Sequence, residues 1–436
     1  MQSCNYRPAA TAVIVSIETT RVCALNPQRS VLKPLFASSL LLACMGLQTF
    51  EVNAAAEEKP ADGLQVLTPG KLPGTLRFRE SNTSFGLGGY LEAHLGVSDS
   101  PFETSQTGSD SLFYPQIPVG QQASASGNKV NLHGRHSRLW FKTYTPTDLG
   151  ELNLFLEYDL SMRPGSYAPR QRHAYVSLGQ VLIGQTYTTF TNSAAQPDTD
   201  SGLPPAGSAK RHNQLRWTLP LSDPDMNLMI AVEQPDSRVN RISQSDIQTY
   251  DDDHDPNLAV RLNRFGRWGE LSLSAMTRSL RWLDNGQQLR TRANAYGLSG
   301  RVITTGLNNL RFVLNGGFGL GSFLTSGSYP DALYRAVDRT LESSRVLSAE
   351  ISYQHYWNPR LRSNLVLSES RVRLPEQADA RLTNRARALQ VNLLFNPQSD
   401  LTLGVEYLYA SRRVQDASDG ALSRLMFTVR YTFQTD

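Results

Sequence analysis

Apolar and polar residues alternate at every second position along almost the whole chain, which predicts an all-β protein. The fold expected is a 16-stranded antiparallel transmembrane β-barrel with short periplasmic turns and longer extracellular loops. Three observations carry that expectation. The final segment is representative: Leu425, Phe427, Val429, Tyr431 and Phe433 are apolar, with Arg424, Thr428, Arg430 and Thr432 between them. The connections alternate strictly between short and long. An apolar leader precedes the strands, and no cysteine follows it.

The leader's apolar stretch is Leu35–Leu47, thirteen apolar or small residues behind Lys33. Val52-Asn53-Ala54 and Ala54-Ala55-Ala56 then offer small residues for cleavage, so residues 1–56 read as a secretory signal peptide with an upstream extension. Translation starting near Val31 would account for that extension. Leu41–Cys44 outlines a lipoprotein site, but Leu42 occupies a position that favours smaller residues, and conventional cleavage is expected. Cys4, Cys23 and Cys44 all lie in the leader, so a mature chain would hold itself together without disulfides.

Composition is compatible with a barrel. Mean hydropathy is −0.36 and 40% of the 436 residues are hydrophobic, as expected where polar lumen positions dilute lipid-facing ones. The net charge of +4 is spread along the chain, which excludes a nucleic-acid binder with a concentrated basic patch.

Residues 57–83, interrupted by Pro60, Pro69 and Pro73, read as a short periplasmic N-terminal segment, and residues 84–433 as the barrel. Phe85, Leu87, Gly89, Leu91, Ala93 and Leu95 open it, alternating with Tyr90, Glu92 and His94. The second strand covers 138–144, and a tight turn leads to Leu152–Leu160. Further strands are expected near 171–178, 181–189, 212–219, 225–234, 257–264, 269–279, 293–303, 309–321, 345–357, 361–372, 384–396, 400–412 and 422–433. Short turns rich in Pro, Gly, Asn and Asp separate them at 145–150, 179–180, 219–225, 264–268, 304–308, 357–361 and 396–400. Loops are expected at 98–136, 161–171, 190–211, 235–256, 280–292, 322–344, 373–383 and 413–421. A soluble sandwich or propeller also alternates, but lacks this two-sided asymmetry.

With the apolar partner of each pair facing lipid, the lumen receives Arg138, Lys142, Arg172, Arg216, Arg261, Arg278 and Arg301, followed by Arg311, Arg362, Arg424 and Arg430. Glu92, Glu151, Glu157, Asp159, Glu233, Glu270, Glu350 and Glu406 share that parity. Around 171–178 both faces are mixed and parity is ambiguous. An arginine ladder would guide anions, because each guanidinium can donate two hydrogen bonds to a carboxylate. The alternative is that most of these arginines pair with nearby acids and rigidify a polar lumen. The loop 190–211 carries Asp198, Asp200, Lys210 and Arg211 with Gly202, Pro204 and Pro205, and is expected to fold inward as a constriction facing Arg138, Arg172 and Arg216. Asp251–Asp253, His254 and Asp255 form an acidic run best read as solvated. Arg385 and Arg387 share the parity of lipid-facing Leu389, and would meet lipopolysaccharide phosphate or a neighbouring subunit. No catalytic constellation, metal site or cofactor motif is recognised. His133 and His136 lack a third ligand at a usable spacing.

The stretches Ser137–Leu160, Arg172–Phe190, Val232–Asp236 and Leu403–Arg413 resemble the DcaP-like trimeric porins of Gram-negative outer membranes. The resemblance implies a sixteen-stranded barrel, a homotrimer, insertion by the barrel assembly machinery, and uptake of small anionic solutes such as dicarboxylates. Two features depart from it. Residues 57–84 are too short and proline-rich for the coiled coil such proteins often carry. Gln434, Thr435 and Asp436 also extend past Phe433, the expected assembly signal. Competing readings are a general or cation-preferring porin and, from another class, an outer-membrane barrel hydrolase.

Overall fold

The computed structural model describes residues 67–99, 112–120, 129–163, 166–245, 254–325 and 327–435. The leader with its three cysteines, and Asp251–Asp253, lie outside them. Sixteen antiparallel strands close a barrel: β1 (Ser84–Ser98), β2 (Arg138–Thr147), β3 (Gly150–Arg163), β4 (Ser166–Leu178), β5 (Val181–Tyr187), β6 (Arg211–Pro220), β7 (Met226–Glu233) and β8 (Asn257–Gly266) form the first half. The second half is β9 (Gly269–Asp284), β10 (Gln287–Ile303), β11 (Asn309–Phe318), β12 (Arg345–Asn358), β13 (Leu361–Arg373), β14 (Thr383–Gln398), β15 (Leu401–Val414) and β16 (Asp419–Gln434). β16 pairs with β1 from Arg424↔Ser98 to Gln434↔Gly88, so no barrel edge stays open along that seam.

Side-chain period two sorts the walls. Leu91, Leu139, Ile183, Leu215, Tyr296 and Leu347 are all more than half exposed on the outside, while Glu92, His94, Gln214, Ser299 and Ser348 are buried inside. Trp217, Trp268, Trp357, Phe395 and Tyr431 are exposed near the short turns, where an aromatic girdle belongs.

Four expectations are corrected. The presumed loops 161–171 and 280–292 are hairpin ends, since β3 runs to Arg163, β4 starts at Ser166, β9 runs to Asp284 and β10 starts at Gln287. Above the apolar belt lipid no longer dictates the outward face, so alternation stops marking the strand while the ladder continues. Asn285 (φ 47°) and Gly286 (φ 81°) close the second hairpin in a left-handed two-residue turn, for which Asn-Gly was the available signal. Third, the segment before the barrel, to which no strand was assigned, contains two short strands. Leu67–Pro69 pairs with Leu76–Phe78, whose Leu76 and Arg77 pair with Phe85 and Ser84 of β1, where β16 no longer reaches. Fourth, Lys129–His133, placed in the first loop, extends the second strand's pairing with β1 beyond a break at 134–137.

The interior is filled unevenly. Tyr114 and Ile117 of the first loop pack on Ala386, Ala388, Leu408, Ala410 and Leu422. Phe190 packs with Phe323, Leu324 and Tyr329 against Met276, Ala295, Val346 and Val372. Val239–Arg241, Ala332–Arg335 and Thr340–Ser343 form a small sheet over Leu280, Trp282 and Ala293. Loops therefore cover the inner faces of β9–β15. Small inward residues (Ala386, Ala388, Ser348, Ser368, Ser370) make room for them.

Candidate permeation site within the barrel

The segment Thr188–Lys210 leaves the wall after β5 and lies inside the barrel. Glu233 fixes its start by accepting from the Thr188 hydroxyl and the Thr189 N–H, both at 2.6 Å. Asn192 then donates to Glu270 and Ser272 at 2.9 and 3.0 Å, and its own oxygen caps the turn at Ala194. Arg261 binds the Thr191 carbonyl, Arg311 donates to the Gln196 carbonyl at 2.5 Å, and Arg362 reaches Asp198 at 3.0 Å. Fully buried Glu406 accepts from the backbone N–H groups of Asp200 and Ser201 at 2.8 and 2.9 Å, and from the Ser201 hydroxyl. Thr188 N–H donates to the Lys210 carbonyl at 3.1 Å, which closes the excursion, and Lys210 pairs with Asp236. Gly404 permits the closest approach, since a Cβ there would fall 2.5 Å from Asp200 Oδ2.

Asp200 is the least compensated member. Its Oδ2 has no donor among the described residues, and Arg430 Nη2 stands 4.0 Å from Oδ1. Burial, reinforced by the Glu406 charge, pushes its carboxyl up to about 7.

Between this segment and the wall formed by β1–β6 lies a cavity of about 610 Å³ lined by seven cations and three carboxylates. Arg138, Arg172, Lys210, Arg211 and Asp200 are among them, as are Arg170, Arg238 and Arg430. Arg138 pairs with Glu157 at 3.1 Å, while Arg172 and Arg170 share Asp159 at 2.8 and 2.7 Å. A register shift in β3–β4 between Glu157 and Tyr158 leaves Arg172 unmatched in the ladder and turns both arginines inward. That bulge interrupts the alternation at the start of 171–178, and Arg170 was missed because it fell in the expected loop 161–171. Arg238 comes from a loop and had no parity to read. Arg430 joins Glu92 and lies 5.1 Å above the Tyr90 ring, with Arg138 5.5 Å from the same ring. Arg211 instead donates to the Tyr187 hydroxyl, the Ala209 carbonyl and His173 at 2.8, 3.0 and 3.3 Å, and stacks 4.3 Å from the Tyr187 ring. These acceptors leave its charge uncancelled.

The other arginines lie elsewhere. Arg278 is 3% exposed and binds the Gly319 carbonyl, the Ser322 hydroxyl, the Asp236 carbonyl and Asp331, so it anchors extracellular loops and does not line the path. Arg261, as described, holds Thr191. Lys142 sits over Trp140, opposite Gly86 near the lower end of β1. Arg216 is half-buried on β6, and Arg301 stands across the ladder from Glu270 and Arg311. Phe433 lies opposite Gly89, and Thr435 continues the ladder by donating to Leu87 at 2.8 Å. Arg385 and Arg387 point outward and share Glu369 at 3.0 and 2.7 Å, with exposed Arg345, Arg371, Arg373 and Arg413 on adjoining strands.

Residues 99–433 match the DcaP outer membrane protein family. The chain belongs to that family. Its fold matches the outer membrane channel DcaP of Acinetobacter baumannii at TM-score 0.66 and 19% identity, covering 80% of this chain and 97% of that one. An anion-selective porin from Comamonas acidovorans matches at TM-score 0.50 and 13% identity, over 80% of this chain and all of that one. Salmonella typhi OmpF matches at 0.51 and 12%, over 81% and 98%. No curated protein matches the sequence. The protein is thus an outer-membrane porin of the DcaP family, with the sixteen-stranded barrel that its alternation predicted.

Proposed function

We propose that this porin passes small anionic solutes, dicarboxylates among them, along the wall formed by β1–β6. The observation that carries the reading is the cavity's excess of cations, seven against three carboxylates, with Arg211 matched by no carboxylate. In a narrow channel with low-dielectric walls such an excess concentrates the field and favours counter-ions. A carboxylate entering the cavity finds in Arg211 a guanidinium whose neutral acceptors leave its charge uncancelled. It can then exchange with the carboxylates already held by Arg138, Arg172 and Arg170, so each step replaces one charge-assisted hydrogen bond with another. Thr188–Lys210 serves as the constriction, with Asp198 and Asp200 on the side opposite these arginines.

The wider setting follows the same reading. Residues 1–56 direct export into the periplasm, Phe433 is read by the barrel assembly machinery, and the porin works as a homotrimer. Outward Arg385 and Arg387, with their arginine neighbours, meet lipopolysaccharide phosphate at the upper edge of the lipid belt. The test is reversal potential of the reconstituted porin under a salt gradient, followed by titration with succinate. Anion selectivity with block by succinate supports the proposal. Cation selectivity would overturn it and bring Asp198, Asp200 and the inward glutamates forward.

A further inference from the structure

The break in the second strand at 134–137 assembles a cluster that neither charge patterning nor the passage of anions requires. Glu92 and His94 stand two residues apart on β1, facing the lumen, and the break swings His136 over them. His94 Nε2 lies 2.6 Å and His136 Nδ1 3.6 Å from Glu92 Oε1, and the three ligand atoms all fall within 4.8 Å of one another. The His133 ring packs 5.3 Å from both other imidazoles, centroid to centroid. We propose that Glu92, His94 and His136 form a binding site for a divalent transition-metal ion, of the zinc or cobalt class, in the lumen wall.

Ligand atoms around a tetrahedral zinc stand about 3.3 Å apart, given metal–ligand distances near 2.1 Å. The separations here bracket that value, so small side-chain rotations open the site without moving backbone. Two imidazoles and one carboxylate suit zinc or cobalt and are a poor match for calcium or magnesium, which prefer all-oxygen shells. Supporting contacts are already placed. His94 Nδ1 is 3.1 Å from the Thr428 hydroxyl, which leaves Nε2 as the metal-facing nitrogen, and Arg430 holds the other oxygen of Glu92. Glu92 and His136 both line the 610 Å³ cavity, so an ion bound by three protein groups would keep a coordination position open to the permeation path. The bound ion would add two positive charges beside Arg430.

The test uses the full purified porin in detergent, first without current measurement. Cobalt is titrated while the visible absorption of tetrahedral Co²⁺ is followed, and zinc stoichiometry is measured after equilibrium dialysis. One ion per chain is expected, with His136→Ala and Glu92→Gln each weakening binding by about tenfold or more. His136 is the partly exposed member, with 21% of its side chain accessible, so its variant is the safer one for folding, and heat-modifiable gel migration reports that the barrel is intact. Zinc should also raise the anion-to-cation permeability ratio of the wild type and leave His136→Ala unchanged. Absence of saturable binding, or equal binding by the wild type and an intact His136→Ala barrel, would overturn the site. Because binding is read without current, this result is independent of which solute the porin carries.

Discussion

Two walls of the barrel, one under folded-in loops and one facing the cavity, use arginine in opposite ways. On the wall covered by loops, Arg261, Arg311 and Arg278 spend their donors on backbone carbonyls of Thr191, Gln196 and Gly319. They turn folded-in loops into part of the wall. On the open wall, Arg138, Arg172, Arg170 and Arg430 meet carboxylates, and Arg211 meets a phenol, around the 610 Å³ cavity. The same side chain at the same strand parity is therefore a strut on one side and a lining charge on the other. The inward residues of the two walls also differ in size. Alanine and serine on β12–β14 admit a loop, whereas Tyr90, Trp140, Phe155 and Tyr175 on β1–β4 fill the wall themselves.

Among single substitutions, the largest break in this contrast is expected at Glu406. Glu406→Ala leaves the buried N–H groups of Asp200 and Ser201 without their acceptor, at a cost of about 2–3 kcal/mol in stability. Denaturant unfolding should show that loss, and single-channel recordings should show a larger and noisier conductance as the constriction loosens. Deleting Asp198–Gly207 should enlarge conductance further. On the open wall, Arg211→Gln should lower the anion-to-cation permeability ratio on the order of twofold, with unfolding nearly unchanged. Gly404→Ala is a finer probe. Its added methyl displaces Asp200 and should alter conductance while leaving the strand ladder intact.

Asp200 also predicts a pH dependence with a definite sign. Its carboxyl is pushed up to about 7, so it is mostly neutral below that pH and negative above it. The anion-to-cation permeability ratio should therefore fall as the pH rises from about 6 to about 8. Asp200→Asn should flatten the profile at the low-pH value.

Much of the barrel was legible in the sequence because lipid imposes a strict rule on alternate residues. Leu425, Phe427, Val429 and Tyr431 face outward because each unpaired polar alternative there would be expensive. The rule holds only within the apolar belt. Beyond it, β9 and β10 continue to Asp284 and Gln287, where Leu280, Trp282 and Ala293 are covered by a small sheet and Ser279 and Arg281 interleave, so lipid no longer dictates the pattern that marks a strand. Inside the barrel, parity says which way Arg278 points but not that a loop covers it. Nor does parity reach Arg170, which lay in the expected loop 161–171, or link His136 to Glu92 and His94 across a break in the second strand.

One paired measurement separates the arginines that line the cavity from those that hold loops. Reversal potentials under a salt gradient should be compared for Arg211→Gln and Arg172→Gln on the open wall against Arg311→Gln and Arg278→Gln on the covered wall. The open-wall pair should shift the reversal potential away from the anion value, with little change in unfolding. The covered-wall pair should lower stability and leave the reversal potential close to wild type. Equal shifts from both pairs, or shifts from the covered wall alone, would contradict the separate roles assigned to the two walls.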